Sequence, residues 1–118
     1  GMIGLSQVTA IHLAAEPVDF RKSHNGLALE VTGGLGRDPF SGELFVFANK
    51  AGDKLKALYW DGQGFVLLYK RLERGRFVMP RTPGEAAALS PGQFQALFEG
   101  ADWRTLQRLA DHPARAVA

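Results

Sequence analysis

With 118 residues, of which 46% are hydrophobic and 22% charged, the chain has the length and composition of a single globular domain. It contains no cysteine, which excludes disulfides and thiol catalysis, and no apolar run approaches the roughly 20 residues needed to cross a bilayer. Its net charge of +2 excludes a strongly basic or strongly acidic chain. We expect one cytoplasmic domain over residues 1–118, with Gly1 as a tag remnant and residues 112–118 as a loose tail.

The N-terminal part of the chain predicts a short strand followed by a helix. Residues Val8 to Ala14 alternate weakly and begin with β-branched side chains, which favours a strand. Asp19 is predicted to cap a helix that begins near Phe20, and Gly33-Gly34 is predicted to end it. Gly26 inside this helix costs about 1 kcal/mol relative to alanine, which indicates a close backbone approach there.

Three strands are predicted in the middle of the chain. Leu44 to Ala48 is a continuous apolar run typical of a buried strand. Lys54 to Trp60 and Phe65 to Arg71 flank the loop Asp61-Gly62-Gln63-Gly64 and predict a β-hairpin.

Simple closure of that four-residue loop sets the register of the hairpin. Trp60 then lies opposite Phe65, where both pack at the hairpin end, and Lys54 lies opposite Arg71. Because side chains alternate between the two faces of a strand, one face is apolar near the turn and basic at the far end.

After the hairpin, Arg74-Gly75 predicts a turn and Arg76 to Met79 a final short strand. Ser90-Pro91-Gly92-Gln93 is typical of a helix start, since serine is a preferred cap, proline fits the first helical position and glutamine completes a capping box. Asp102 is predicted to cap a second short helix that carries two leucines, Leu106 and Leu109.

This order of elements predicts an α+β fold. We expect an antiparallel β-meander sheet of about four or five strands, with one helix after the first strand and a C-terminal helix.

The excess positive charge is concentrated in the middle third of the chain. Residues 46–81 hold eight basic and three acidic side chains, a net +5, whereas residues 1–45 carry −2 and residues 82–118 carry −1. This asymmetry predicts an anionic partner such as nucleic acid, whose phosphates Lys and Arg neutralise. The candidate nucleic-acid-binding residues are Lys54, Lys56, Tyr69, Lys70, Arg71, Arg74 and Arg76. The alternative is a sheet edge that solvated Lys and Arg side chains protect from aggregation.

No catalytic or metal-binding set is predicted. His12, His24 and His112 lack the spacing of metal ligands, and Gly33-Gly34-Leu35-Gly36 lacks the Lys-Ser/Thr that follows a phosphate-binding loop. Five carboxylates could pair around magnesium, as a nuclease requires, but turn hydrogen bonding explains their positions better. They are Asp38, Glu43, Asp53, Asp61 and Glu73. We therefore expect no catalytic residue, no metal and no cofactor.

Five sequence stretches together resemble one known family. They are PVDFRK with Gly26-Leu27 following, DPFSGELFVF with Asn49, GDKLKALYWDGQGF, YKRLERGRF with Pro80, and LSPGQFQALFEGADW. In this order they span about residues 11–103 and are similar to the accessory (Orf2-like, TnpB) proteins of the insertion sequence 66 transposon family. The chain departs at Phe20, where the family has Met, and at Ser23-His24-Asn25, which replaces a more typical Gly-Phe-Asp.

The resemblance implies a cytoplasmic accessory factor for transposition that is not an enzyme and works beside a separate transposase. It provides no catalytic residues. Three hypotheses remain open: binding of transposon DNA, docking of the transposase or another element-encoded protein, and an unrecognised nuclease or hydrolase. The docking hypothesis would use the hairpin or the helix from Phe94 to Phe98. The oligomeric state is left open.

Overall fold

The computed structural model describes residues 8–80 and 86–106. Its strands are β1 (Ile11–Leu13), β2 (Leu44–Ala48), β3 (Lys54–Trp60), β4 (Phe65–Arg71) and β5 (Ala87–Leu89). Its helices are α1 (His24–Gly34) and α2 (Pro91–Phe98), followed by a short 3-10 helix over Trp103–Thr105. The expectations for Gly1, Leu109, His112 and the tail over residues 112–118 fall outside the described residues.

The five strands form one mixed sheet in the order β4-β3-β2-β1-β5. β2, β3 and β4 form the predicted antiparallel meander, but β1 runs parallel to β2, with Ile11 opposite Leu44. The prediction of a purely antiparallel sheet is therefore wrong, whereas the α+β class and the number of strands are confirmed. The reason is α1, which carries the chain from the end of β1 back to the start of β2 as a crossover connection.

Apolar side chains cover both faces of the sheet. On one face, α1 packs through Leu27 and Val31 against Phe45 of β2. On the other face, α2 contributes Phe94 and Leu97 to a second cluster with the alternate residues of β2 and β3. All five residues of β2 are buried, because this central strand is covered on both sides. The continuous apolar run that predicted β2 follows from this double coverage.

The β3–β4 hairpin has the predicted register at every pair, from Lys54 opposite Arg71 to Trp60 opposite Phe65. Asp61 organises its loop, since Oδ1 accepts hydrogen bonds from the backbone N–H groups two and three residues further on, each at 2.9 Å. These backbone bonds lower the pKa of the Asp61 carboxyl. The carboxylate holds the loop closed and thereby fixes which residues face each other.

Helix α1 begins later than predicted, at His24 instead of near Phe20. Asp19, the predicted cap, accepts hydrogen bonds from the backbone N–H and the guanidinium of Arg21 at 2.5 to 3.1 Å. Hydrogen bonding to the Arg21 side chain and then to its backbone lowers the pKa of Asp19 to about 2. Ser23 occupies the cap position but makes no capping bond to the helix. The prediction for Asp19 is wrong because an aspartate can close a local turn as readily as it caps a helix.

Gly26 allows the segment before α1 to approach the helix closely. A Cβ placed on Gly26 would lie 3.0 Å from both Cβ and Cγ of Lys22. A close neighbour is therefore present at Gly26, but it is a side chain and not the backbone segment that was predicted. The Lys22 ammonium continues past Gly26 to pair with Glu30.

The segment after β4 does not form the predicted strand over Arg76 to Met79. The backbone N–H of Phe77 donates to the carbonyl of Gly52 at 2.8 Å, and the indole N–H of Trp103 donates to the carbonyl of Val78 at 2.6 Å. These isolated bonds hold the segment against a turn and the 3-10 helix. The fifth strand is instead β5, which the sequence did not predict because Ala-Ala-Leu has neither alternation nor β-branched residues.

The capping box of α2 forms as predicted. The Ser90 hydroxyl accepts from the backbone N–H of Gln93 at 3.1 Å, and the Gln93 side chain accepts from the backbone N–H of Ser90 at 2.9 Å. Asp102 also caps a short helix, by accepting from the backbone N–H of Arg104 at 3.0 Å, but this helix is a single 3-10 turn. Leu106 therefore lies beyond it and is exposed.

Ser90→Ala is expected to lower the free energy of unfolding by about 1 kcal/mol, the usual cost of losing a serine cap. The matched control is Ser23→Ala, because Ser23 precedes α1 without a capping bond. The control should change the free energy by less than about 0.5 kcal/mol, as surface substitutions usually do. Urea denaturation of both variants measures the two values, and equal losses would contradict the assignment.

Candidate nucleic-acid interface

The turn between β2 and β3 lies at the open end of the β3–β4 hairpin, beside the end of β4. Asn49 Oδ1 accepts from the backbone N–H groups of Gly52 and Lys54 at 2.9 and 3.0 Å, and its amide donates to the Asp53 carboxylate at 2.8 Å. The backbone N–H of Leu72 donates to the carbonyl of Asp53 at 2.8 Å. These bonds fix the turn between β2 and β3 against the chain that leaves β4.

Five basic residues belong to this turn, to the strand ends beside it and to the segment that follows β4, and we name them the basic end: Lys50, Lys54, Arg71, Arg74 and Arg76. Lys54 and Arg71 face each other across the ladder. Arg76 lies over the turn, since a Cβ placed on Gly52 would be 3.7 Å from its side chain. With the neighbouring carboxylates Asp53 and Glu73, the five cations and two anions leave a net +3.

The charges of the basic end are mostly available to a partner. Arg71 pairs with Glu73 at 3.0 Å, but both side chains are exposed, and such surface pairs contribute little. Within residues 8–80 and 86–106, the remaining four cations of the basic end form no ion pair. The hydrogen bond from Asn49 is the main cause that lowers the pKa of Asp53, and the charges of Lys54 and Arg71 make smaller contributions in the same direction. Its carboxylate therefore remains charged near neutral pH.

Lys56, a predicted site residue, is buried and bonded inside the fold. It is only 5% exposed, and its ammonium donates to the carbonyls of Phe20 and Lys22 at 2.8 and 2.7 Å. The ammonium also lies 4.8 Å from the ring centroid of Phe20 and 5.2 Å from that of Tyr69. Burial lowers the pKa of Lys56. This lysine holds the segment before α1 against the sheet and presents no charge to solvent.

Lys70 lies on the opposite face of the hairpin from the candidates Lys54, Tyr69 and Arg71. Its ammonium donates to the carbonyl of Phe98 at 2.5 Å and lies 4.6 Å from the centroid of the Phe98 ring. The carbonyl belongs to the last residue of α2, where the helix dipole favours a cation. Lys70 therefore anchors the C-terminal end of α2 and does not join the basic end.

Tyr69 is the candidate aromatic platform beside the basic end. It lies on the same face of β4 as Arg71 and is 53% exposed. Its ring packs against that of Phe20 with 5.8 Å between centroids and an interplanar angle of 84°, and the Lys56 ammonium lies over one side of it. A ring that is held on one side and open on the other is suited to stack on an unpaired base.

The turn end of the hairpin carries an aromatic cluster, formed by Phe40, Trp60 and Phe65. The three ring pairs have centroid distances of 5.0 to 5.2 Å, so the predicted packing of Trp60 against Phe65 is confirmed. Phe40 is 56% exposed. No sequence pattern indicates that Phe40 joins this cluster, because it lies in a loop far from the hairpin in the chain.

The five carboxylates considered for magnesium all bond to protein groups, and four of them do so within their own stretch of chain. Asp38 and Asp61 accept backbone N–H bonds in their own turns, as predicted from turn chemistry. Asp53 accepts from a side-chain amide, Glu73 pairs with a guanidinium, and Glu43 bonds a hydroxyl and an imidazole. Across residues 8–80 and 86–106, no three His, Asp or Glu side chains are grouped so as to hold a metal ion.

A polar cluster around His12 was not predicted, because its members are far apart in the chain. His12 is 7% exposed, and its Nε2 lies 3.1 Å from both Glu43 Oε2 and Arg37 Nε. The Ser41 hydroxyl donates to the other Glu43 oxygen at 3.1 Å. Burial acts to raise the pKa of Glu43, but the bonds from His12 and Ser41 lower it overall. Because the hydroxyl donates to a carboxylate and not to the imidazole, the cluster lacks a nucleophile paired with a histidine base.

No helix in the described part of the chain combines the length and the apolar character that crossing a membrane requires.

Comparison with known proteins matches residues 9–108 to the family described as IS66 Orf2-like protein. Two similar proteins come from Sinorhizobium fredii (strain NBRC 101917 / NGR234). "Uncharacterized protein y4jC" is 43% identical over 107 residues, which cover 91% of this chain and 92% of that relative. "Uncharacterized protein y4hO" is 43% identical over 103 residues, which cover 87% and 90%. No solved structure matches the chain significantly.

Proposed function

Since the chain belongs to the IS66 Orf2-like family of transposon-associated accessory proteins, we propose that it binds the DNA of its mobile element through the basic end. It performs no chemistry itself in this proposal. The DNA strands are cut and joined by the transposase, which the accessory protein assists. The proposal places the protein in the cytoplasm, where the DNA of a bacterial element lies.

The observation that carries the proposal is the convergence of unpaired cations at one end of the hairpin. Lys54 lies at the end of β3, Arg76 lies over the adjoining turn, and Arg74 belongs to the same segment as Arg76. None of the three forms an ion pair with a described residue. Lys and Arg that bind phosphates release condensed counterions, which supplies affinity without reading sequence. A net +3 over one turn and two strand ends therefore fits the phosphate backbone of DNA.

Tyr69 extends the same surface along β4. Arg71 is its neighbour on the α1 face, so a strand that contacts the basic end passes the exposed ring. Aromatic stacking is worth about 1–3 kcal/mol per unpaired base and tolerates any sequence. The surface therefore fits a partly single-stranded site, such as the end of an element that is being processed.

DNA affinity is expected to fall steeply as salt rises. If four side chains contact phosphates, affinity should drop about 100-fold between about 50 and about 200 mM salt, since each phosphate contact adds about 0.9 to the logarithmic slope. An electrophoretic titration of the full chain against transposon-end and random duplexes measures this slope. Absence of binding at the lower salt concentration, or an affinity that does not change with salt, would overturn the proposal.

A second candidate function is docking of the transposase through the aromatic cluster at the turn end. It is favoured by the exposed ring of Phe40, because aromatic side chains are enriched among residues that dominate protein interfaces. The helix from Phe94 to Phe98 does not fit this role, since Phe94 is 5% exposed and Lys70 covers the Phe98 ring. Capture of the transposase by this chain in nuclease-treated samples separates docking from DNA binding.

A further inference from the structure

β4 lies at one edge of the sheet, so one side of its backbone faces no other strand. The hydrogen bonds at the two ends of the β3–β4 ladder show which residues of β4 bond to β3. The backbone N–H of Leu72 donates to the carbonyl of Asp53, and that of Asp61 donates to the carbonyl of Gly64. Alternate residues therefore bond β3: Val66, Leu68 and Lys70. The others direct their backbone N–H and C=O groups outward: Phe65, Leu67, Tyr69 and Arg71. In the described residues, no backbone group bonds to this outward row.

The β4 edge lacks the usual protection of an edge strand. Its seven residues pair one to one with β3, without a bulge, and include no proline. Its charged residues are confined to one end, at Lys70 and Arg71. At the other edge, β5 has only three residues, which already makes it a poor template.

Exposed aromatic surface follows the same edge. Tyr69 of β4 is 53% exposed, and Phe40, which is 56% exposed, packs on Phe65 of β4 with ring centroids 5.2 Å apart. The described chain has four large hydrophobic residues that are exposed, and these two lie along β4. Unpaired backbone groups and apolar surface thus coincide, which is the combination that strand addition uses.

We propose that β4 pairs with β4 of a second copy of this chain, antiparallel and about a two-fold axis at Leu68. In this register the outward groups of Phe65 meet those of Arg71 in the other copy, and Leu67 meets Tyr69. All seven residues pair, and the two sheets join into one of ten strands. The proposal rests on the β4 edge alone and holds whether or not the basic end binds DNA.

Charge placement favours a second copy in this antiparallel arrangement. Lys70 lies opposite Val66 of the other copy, and Arg71 lies opposite Phe65, so no like charges meet. A parallel arrangement would bring the charged ends of the two strands, Lys70 and Arg71 of each copy, side by side and is disfavoured. The two basic ends then lie about 20 Å apart along the strand direction, given about 3.4 Å per residue.

Sedimentation equilibrium of the full chain tests the dimer. Wild type should sediment as a concentration-dependent dimer. Tyr69→Pro removes an outward N–H without removing a bond to β3, so dimerisation should weaken at least about tenfold relative to Tyr69→Ala, which keeps the N–H. A monomeric wild type up to millimolar concentration, or equal dimerisation of the two variants, would overturn the proposal.

Single cysteine substitutions test the register in variants that retain the fold. Because the chain has no cysteine, one substitution can form a disulfide only between copies. Leu68→Cys places both sulfurs at the two-fold axis, where Cα atoms about 4.5 Å apart suit a disulfide. Val66→Cys is the matched control, since the two copies of residue 66 lie about 14 Å apart along the strands. Oxidation should cross-link the first variant and not the second, and cross-linking of neither or both would contradict this pairing.

Discussion

Replacing four cations of the basic end by glutamine is expected to weaken DNA binding about 100-fold or more at low salt. The variant carries Lys54→Gln, Arg71→Gln, Arg74→Gln and Arg76→Gln. Their side chains are half-buried or exposed and make no bond that holds the fold together, apart from the surface pair of Arg71 with Glu73. The logarithmic salt slope should flatten by about 0.9 for each phosphate that the variant no longer neutralises. Electrophoretic titration at two salt concentrations measures both quantities.

The matched control removes four basic charges elsewhere in the chain. It carries Arg21→Gln, Lys22→Gln, Arg37→Gln and Arg104→Gln. The net charge of the two variants is the same, so a difference in affinity reports position and not overall charge. The control should retain most of the binding and most of the salt slope. Equal losses in both variants would show that affinity follows net charge alone and that the basic end is not the site.

Lys56→Met is expected to destabilise the protein by about 2–4 kcal/mol, because the carbonyls of Phe20 and Lys22 would lose their buried donor. Methionine approximates the length and volume of lysine, so the cavity cost is small and the loss reports the two bonds. Urea denaturation followed by circular dichroism gives the free energy of unfolding.

Lys54→Met is the control for this substitution. Lys54 lies two residues earlier on the same strand and face, but it is half-buried and its ammonium forms no ion pair within the described ranges. Its replacement should therefore change the free energy of unfolding by less than about 0.5 kcal/mol. A loss below about 1 kcal/mol for Lys56→Met would mean that water or another donor satisfies the carbonyls.

The pH dependence of stability provides a second readout for Lys56. Burial lowers the pKa of Lys56 in the folded protein below its ordinary value of 10.5. Between the lowered pKa and 10.5, the unfolded chain binds more protons than the folded one, so this group makes stability rise with pH. The wild-type free energy of unfolding should therefore rise more steeply over that interval than that of Lys56→Met. Parallel curves would mean that Lys56 titrates alike in both states.

The hairpin could be predicted residue by residue because local chemistry determines it. A four-residue loop with Asp61 at its start leaves one simple register, and the alternation of side chains follows from that register. The capping box at Ser90 and Gln93 is local in the same way. Such features require no knowledge of distant segments.

The burial of the Lys56 ammonium could not be predicted, although its strand and its face of the sheet were predicted. Lys54 and Lys56 have the same pattern in the sequence, and only the arrival of the segment around Phe20 separates a buried ammonium from an available one. Lys70 is similar, since the end of α2 lies over its face of the sheet. The sequence thus predicted where charge is concentrated, but packing between distant segments decides which charges reach solvent.

The position of β1 inside the sheet constrains the order of folding. The strands β2 to β4 are joined by short turns, so the meander can assemble from local contacts at a small cost in chain entropy. β1 can then pair with the free edge of β2, where Ile11 lies beside Leu44, and β5 adds to β1, where Leu89 lies beside Ile11. We therefore expect the meander to form first, and the pairing between β1 and β5, which needs β1 already in place, to form last and to fray first.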